Sequence, residues 1–266
     1  MRKRMNELKR VVIKVGSSSI THEDGSINLA KISDLAWNLS NLKNHGVGVV
    51  LVTSGAIAAG AKVMKLAERP RDTSKKQAAS AVGQVALMNN YNSALREHNY
   101  QVAQLLLTKQ IETDVVMREN AINSLDELLN MDCIPIVNEN DAVSTFEIEF
   151  GDNDTLSAVV ARLVGADLLI MLSDIDGLYD SDPNVNPDAK LIPQVDVIDG
   201  ELLSMASGST SNRGTGGMVT KLNAAMLCME KGIDTIIANG SDMAIIRRIF
   251  EGEEIGTLFK GGEKDA

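Results

Sequence analysis

Short runs of Val, Ile and Leu alternate along the chain with longer stretches in which apolar residues recur every three or four positions. "RVVIKV" (Arg10 to Val15), "GVVLVTS" (Gly48 to Ser54), "QVAQLLLT" (Gln101 to Thr108), "CIPIVN" (Cys133 to Asn138), "DLLIMLS" (Asp167 to Ser173) and "DTIIAN" (Asp234 to Asn239) read as strands. Most lack the polar alternation of a strand with one wet face, so they are expected to be covered on both faces, as in a parallel sheet. Helical periodicity fills the intervals. In Asn28 to Asn44 the residues Ile32, Leu35, Ala36, Leu39 and Leu42 share a face, Asn28 is suited to cap the start, and Gly46 follows the end. Further helices are predicted for the Ala-rich Ser74 to Glu97, for Val115 to Met131, Thr155 to Val164 and Met218 to Lys231. This alternation predicts an α/β fold, a three-layer α/β/α sandwich with a mostly parallel central sheet. No linker, repeat or low-complexity block divides it, so residues 1–266 are read as one domain.

Composition narrows the function. The 266 residues are 44% hydrophobic, enough to fill a sizeable core, and carry a formal net charge of −10. A chain that acidic has no general attraction for nucleic acid or for anionic membranes, so any phosphate must be bound locally. Cys133 and Cys228 lack metal-ligand spacing and are expected to be small buried hydrophobes in a reducing compartment. The basic N-terminus leads into an apolar run broken by Lys14, with no cleavage site after it, and no segment is long enough to span a membrane. A cytoplasmic protein is expected.

In α/β sheets ligands collect beyond the carboxyl ends of the strands, so the residues after each strand are where chemistry is to be sought. Lys14 lies inside the first strand and "GSSS" follows it; the lysine reads equally as an anion contact or as a side chain reaching for solvent. The second strand runs into "TSGAIAAG", which places Ser54 and the amides of Gly55 and Ala56 at a helix start suited to an anion. It is not a P-loop, because Ala61 stands where the lysine is required; and the glycine fingerprint of a dinucleotide fold is missing after the first strand. After the fifth strand, "SDIDGLYDSDP" offers carboxylates that are either solvated turn formers or contacts for ribose and hydrated magnesium. "GTGGMVTK" opens the last predicted helix with free glycine amides and a lysine, and reads as an anion site or a flexible loop.

The stretch "VNENDAVSTFEIEFGDND" holds six carboxylates and no cation. Glu147 and Glu149 alternate with Phe146, Ile148 and Phe150 as in a hairpin with a solvated acidic face. Its two ends follow a buried strand and open a helix, so the hairpin is expected to fold back and bring Asn138, Asp141, Asn153 and Asp154 to one pocket.

In this order "KVGSS", "TSGAIAAG", "VNENDAV", "FGDNDTLSA", "LSDIDGLYDSDP" and "GTGGMVTK" resemble the motifs of the amino-acid kinase family, and "NEND" with "FGDND" points to the members that phosphorylate glutamate. The resemblance implies transfer of the ATP γ-phosphoryl group to the side-chain carboxylate of L-glutamate, the entry step of proline synthesis, with Mg²⁺, and with proline as a feedback inhibitor. It makes Lys14 and Lys221 the phosphate-binding lysines and Asp154 a catalytic aspartate. Ser54, Asp141 and Asn153 match glutamate-binding positions, with Asn138 and Asp152 nearby. Ser173, Asp174 and the run Thr215, Gly216, Gly217, Met218, Val219, Thr220 and Lys221 match the ATP site; no protein ligand for the metal is implied. Ser173 stands where relatives often have Thr and keeps the hydroxyl. Many members carry a C-terminal domain of the PUA type; the sequence ends at "GTLFKGGEKDA", so a short form without that RNA-binding module is expected. The family further implies a homo-oligomer, a dimer or tetramer. Another acceptor (aspartate, acetylglutamate, carbamate or uridylate) or a non-catalytic amino-acid sensor are the alternatives. The glutamate carboxylate is already ionised at neutral pH, so no general base is required, and the isolated His22, His45 and His98 are expected to lie outside the chemistry.

Overall fold

The computed structural model describes residues 7–68, 70–144, 153–183, 185–207 and 217–262. Eight strands form one sheet: β1 (Arg10–Val15), β2 (Gly48–Val52), β3 (Val102–Leu107), β4 (Ile134–Glu139), β5 (Leu168–Ser173), β6 (Gln194–Val195), β7 (Asp234–Asn239) and β8 (Thr257–Phe259), in the order β3-β4-β2-β1-β5-β7-β8-β6. All neighbouring pairs run parallel except β7 with β8. The helices are α1 (Ser17–Ile20), α2 (Leu29–Asn44), α3 (Ala56–Val63), α4 (Thr73–Arg96), α5 (Val115–Asn130), α6 (Asn153–Leu163), α7 (Gly200–Ser207), α8 (Met218–Met229) and α9 (Ala244–Phe250). The six longer strands and the long helices fall where hydrophobic periodicity puts them. Asn28 caps α2 as expected, its side chain accepting from the Lys31 amide, and Gly46 follows with φ 79°.

Side-chain alternation along β1 sorts the two cores. Val11, Ile13 and Val15 face the layer built from Leu35 and Leu39 of α2, Leu87 and Tyr91 of α4 and Phe250 of α9. Val12 faces the opposite layer, with Leu125 of α5, Val160 of α6 and Leu222 of α8. Each such fully buried side chain contributes about 1.5–3 kcal/mol, so each layer holds the sheet from its own side. Lys14 takes the Val12 face by the same alternation, which directs it toward α6 and α8.

Helices α3 and α4 cross with their backbones in contact. A Cβ at Gly60 would sit 1.7 Å from the Ala79 carbonyl oxygen, and one at Gly83 would sit 1.8 Å from that of Ala56. The crossing fixes the start of α3, and with it the turn after β2, against α4. Asn153 and Asp154 open α6 as expected, two residues ahead of its apolar pattern. One sequence expectation is corrected. Cys133 is half-buried and only Cys228 is fully buried; burial pushes the Cys228 thiol up to about 11, so it is inert. Among the described residues no helix is long and apolar enough to cross a membrane.

Candidate active site

Sheet order sets the geography of the site. From one edge toward the other, β4, β2, β1, β5 and β7 present their carboxyl ends side by side. Ser54 follows β2, Asn138 lies at the end of β4, Lys14 is the penultimate residue of β1, and Ser173 ends β5. One flank therefore carries the residues expected to bind an amino acid, the other those expected to bind a nucleotide, with Lys14 between.

At the centre, Asp154 in the first turn of α6 accepts from two lysines. Lys14 Nζ lies 2.5 Å from Oδ1 and Lys221 Nζ, in the first turn of α8, lies 3.0 Å from Oδ2. The Thr220 hydroxyl, with one proton to donate, lies 3.1 Å from Oδ2 and 2.7 Å from the Gly217 carbonyl oxygen at the cap of α8. All three charged groups are buried, Asp154 completely. Burial alone would push the Asp154 carboxyl up; the ammonium groups of Lys14 and Lys221 outweigh it and hold the carboxyl well below the usual range. Two cations on one anion leave a locally net positive centre, which suits an incoming polyanion.

On the β2/β4 flank the Asn153 side-chain NH₂ lies within hydrogen-bonding distance of three acceptors: Thr53 O at 2.6 Å, Ser54 Oγ at 2.9 Å and Asn138 Oδ1 at 2.8 Å. Thr53 is held from two further sides, its amide by Val137 O and its hydroxyl by that of Tyr91, 2.7 Å away. Gly55 then adopts φ 93°, a left-handed conformation only glycine enters freely, and α3 starts at the next residue. Asp141 lies just beyond β4, where Ser80 of α4 donates to its Oδ2 at 2.8 Å. The two ends of the acidic stretch thus meet, through Asn138 and Asn153; the hairpin expected between them, with Glu147, Glu149 and Asp152, lies outside the described residues.

On the β5/β7 flank a cavity of about 310 Å³ is lined by Ser173, Asp174, Gly177 to Pro183, Met205, Ala206, Gly217, Met218 and Lys221. Val219 and Thr220 stand on the first turn of α8 beside it, and Thr215 and Gly216 lie outside the described residues. The loop along this cavity is anchored from the far edge: Thr257 on β8 donates to Ile192 O at 2.6 Å and accepts from the Leu178 amide at 2.8 Å. Tyr179 and Asn239 both donate to Asp176, at 3.0 and 2.8 Å, and hold the same loop to the end of β7. A larger cavity of about 540 Å³, lined by residues such as Ile111, Arg118, Arg162 and Ile233, shares no lining residue with this site.

Sequence reasoning missed Ser80, Tyr91, Thr257 and the Met205 and Ala206 wall from α7. None stands after a long strand, and β8, with three residues, is too short for a periodic signal. His22 and His45 are exposed and His98 half-buried, and none lines the cavity.

A mostly parallel sheet with a buried Lys–Asp–Lys centre between two flanks suits phosphoryl transfer, and the chain belongs to the amino acid kinase family, whose model matches residues 9–239. Among its relatives, glutamate 5-kinase of Clostridium perfringens is 50% identical over 269 residues, covering 99% of this chain and all of that protein. Glutamate 5-kinase of Lactococcus lactis subsp. lactis is 47% identical, covering 97% of each. Among solved structures, UMP kinase from Bacillus anthracis superposes with TM-score 0.62 at 18% identity, covering 95% of this chain and 96% of that one. Isopentenyl phosphate kinase of T. acidophilum gives 0.62 at 18%, covering 95% and 100%. At that identity the structures speak for the fold alone.

Proposed function

We propose that the protein transfers the γ-phosphoryl group of ATP to the side-chain carboxylate of L-glutamate, giving L-glutamyl 5-phosphate. The observation that carries this is the buried Asp154 shared by Lys14 and Lys221, set between the Ser54–Asn138–Asn153 cluster and the cleft along Ser173. Near-complete matching to glutamate 5-kinases at 47–50% identity selects glutamate among acceptors.

The glutamate carboxylate oxygen attacks the γ-phosphorus, forming an O–P bond; the bond from phosphorus to the β,γ-bridging oxygen breaks and its electron pair leaves with ADP. No proton moves, which fits a centre made of lysines and without histidine. An anion must nevertheless approach a polyanion. Lys14, placed by β1 at the junction of the two flanks, faces the transferring group; Lys221 and the amides at the start of α8 face the β- and γ-phosphates. Asp154 fixes both lysines so that little reorganisation is needed during transfer. Asp141 pairs with the substrate ammonium, while the Ser54 hydroxyl and the Asn138 and Asn153 amides orient its carboxylates.

No group of three His, Cys, Asp or Glu among the described residues could cage a metal, and Asp154 is already shared by two cations. Magnesium would fit as the counter-ion that ATP brings, held by phosphates and water, with Asp174, whose Oδ1 accepts from the Ser173 hydroxyl, among the carboxylates that line the cleft. When bound it screens phosphate charge. Proline, which shares the α-amino-acid end, is expected to compete at the Asp141 flank, and a homo-oligomer is expected in solution; titration calorimetry with and without glutamate and light scattering test these.

The discriminating experiment is ADP release in the presence of L-glutamate, L-aspartate, N-acetylglutamate, carbamate and UMP. Release only with glutamate supports the reading. Equal or greater release with another acceptor, or binding of glutamate without turnover, rejects it.

A further inference from the structure

Ser80 lies on α4, remote in sequence from the end of any strand. It is 1% exposed, and its hydroxyl donates to Asp141 Oδ2 at 2.8 Å. Burial pushes the Asp141 carboxyl up, and the Ser80 hydrogen bond pulls it back toward the ionised form that an ammonium partner requires. Backbone contact fixes where this hydroxyl stands. Ser80 follows Ala79, whose carbonyl occupies the space of a Gly60 Cβ, and precedes Gly83, whose missing Cβ admits the Ala56 carbonyl. Ala56 opens α3 directly after Ser54 and Gly55. Ser54 and Ser80 are thus carried by one locked pair of helices, and Asp141 is pinned to that pair through Ser80.

We infer that Ser80 is a positioning residue for acceptor specificity: by holding Asp141 Oδ2 it presents the other carboxylate oxygen to the ammonium group of an α-amino-acid substrate. The inference rests on the proposed reading of glutamate as acceptor. A dicarboxylate of the same length without the amino group, glutarate, gains nothing from Asp141. The preference for glutamate over glutarate is therefore the quantity Ser80 controls, and the phosphoryl end of the site is not.

The test compares wild type with Ser80→Ala, Ser80→Cys, which keeps the shape but donates weakly, and Ser80→Thr, which keeps the donor. Loss of one charge-assisted hydrogen bond corresponds to about tenfold, so KM for glutamate should rise about tenfold in the Ala and Cys variants, with kcat and the ATP KM within about twofold of wild type. The glutamate-over-glutarate ratio should fall by the same factor, and Ser80→Thr should restore it. An unchanged glutamate KM in the Cys variant, a loss confined to kcat, or a Thr variant no better than Ala overturns the inference while leaving the kinase reading intact. Wild type that releases no ADP on glutamate overturns both.

Discussion

Replacing Asp154 by Asn keeps the shape of the side chain and removes the anion that two buried ammonium groups share. Lys14 Nζ is 2.5 Å from one carboxylate oxygen and Lys221 Nζ 3.0 Å from the other. Without the charge, two cations face each other across roughly 5 Å, a repulsion of about 3 kcal/mol at an effective dielectric near 20. Breaking a buried ion pair at one partner costs about 3–5 kcal/mol, the same order. Lys14→Met removes one cation and leaves a neutral Asp154–Lys221 pair, so it should cost less. Urea unfolding at pH 7 should rank wild type above Lys14→Met and Lys14→Met above Asp154→Asn, with Lys14→Met/Asp154→Asn recovering part of the loss. ATP, an anion entering the same pocket, should raise the thermal midpoint of Asp154→Asn more than that of wild type. The pH dependence has a definite sign. Burial opposes ionisation of Asp154 but the lysines outweigh it, so its folded value lies below the unfolded 3.8. Its contribution is present above pH 3.8 and is lost as pH falls through the folded value; the gap between wild type and Asp154→Asn should be full at pH 7 and close only in strong acid. An Asp154→Asn protein as stable as wild type at pH 7, or less damaged than Lys14→Met, would refute this account of the centre.

Three further predictions concern the acceptor flank and its support. Asp141→Asn should raise the glutamate KM by about 10–100-fold, the loss of one charged hydrogen bond of roughly 1.5–3 kcal/mol, and leave the ATP KM unchanged in steady-state kinetics. Because burial raises the Asp141 carboxyl above its unfolded value of 3.8, ionising it works against folding as pH rises; Asp141→Asn should melt higher than wild type at pH 7, and the difference should vanish below pH 3.8. Gly60→Ala puts a methyl 1.7 Å from the Ala79 carbonyl oxygen, so α3 and α4 must part; about 3 kcal/mol of stability should be lost, and a wild-type urea midpoint would contradict the locked crossing.

The long strands and helices were legible because each buries a continuous apolar face, and burial leaves a period in the sequence. Lys14 and Lys221 could be singled out for the complementary reason: a charge inside an apolar strand, and a lysine on the first turn after three glycines, each break the pattern around them. Asp154 was harder, since it sits among five other carboxylates and nothing local separates it from a solvated acid. Only the fold does, by placing α6 between the faces from which Lys14 and Lys221 project. Ser80 and Thr257 were illegible. Each is a small hydroxyl residue whose importance lies in one long-range hydrogen bond, to Asp141 and to the 178–192 loop, and no periodicity or spacing encodes such a contact.

Acyl phosphates react with hydroxylamine, so the central claim is tested most directly by incubating the protein with ATP, L-glutamate and hydroxylamine and measuring hydroxamate against ADP. The account predicts L-glutamate 5-hydroxamate in step with ADP release, and neither product beyond background without glutamate. ADP released with no hydroxamate, or hydroxamate formed from aspartate or N-acetylglutamate in preference to glutamate, would contradict it.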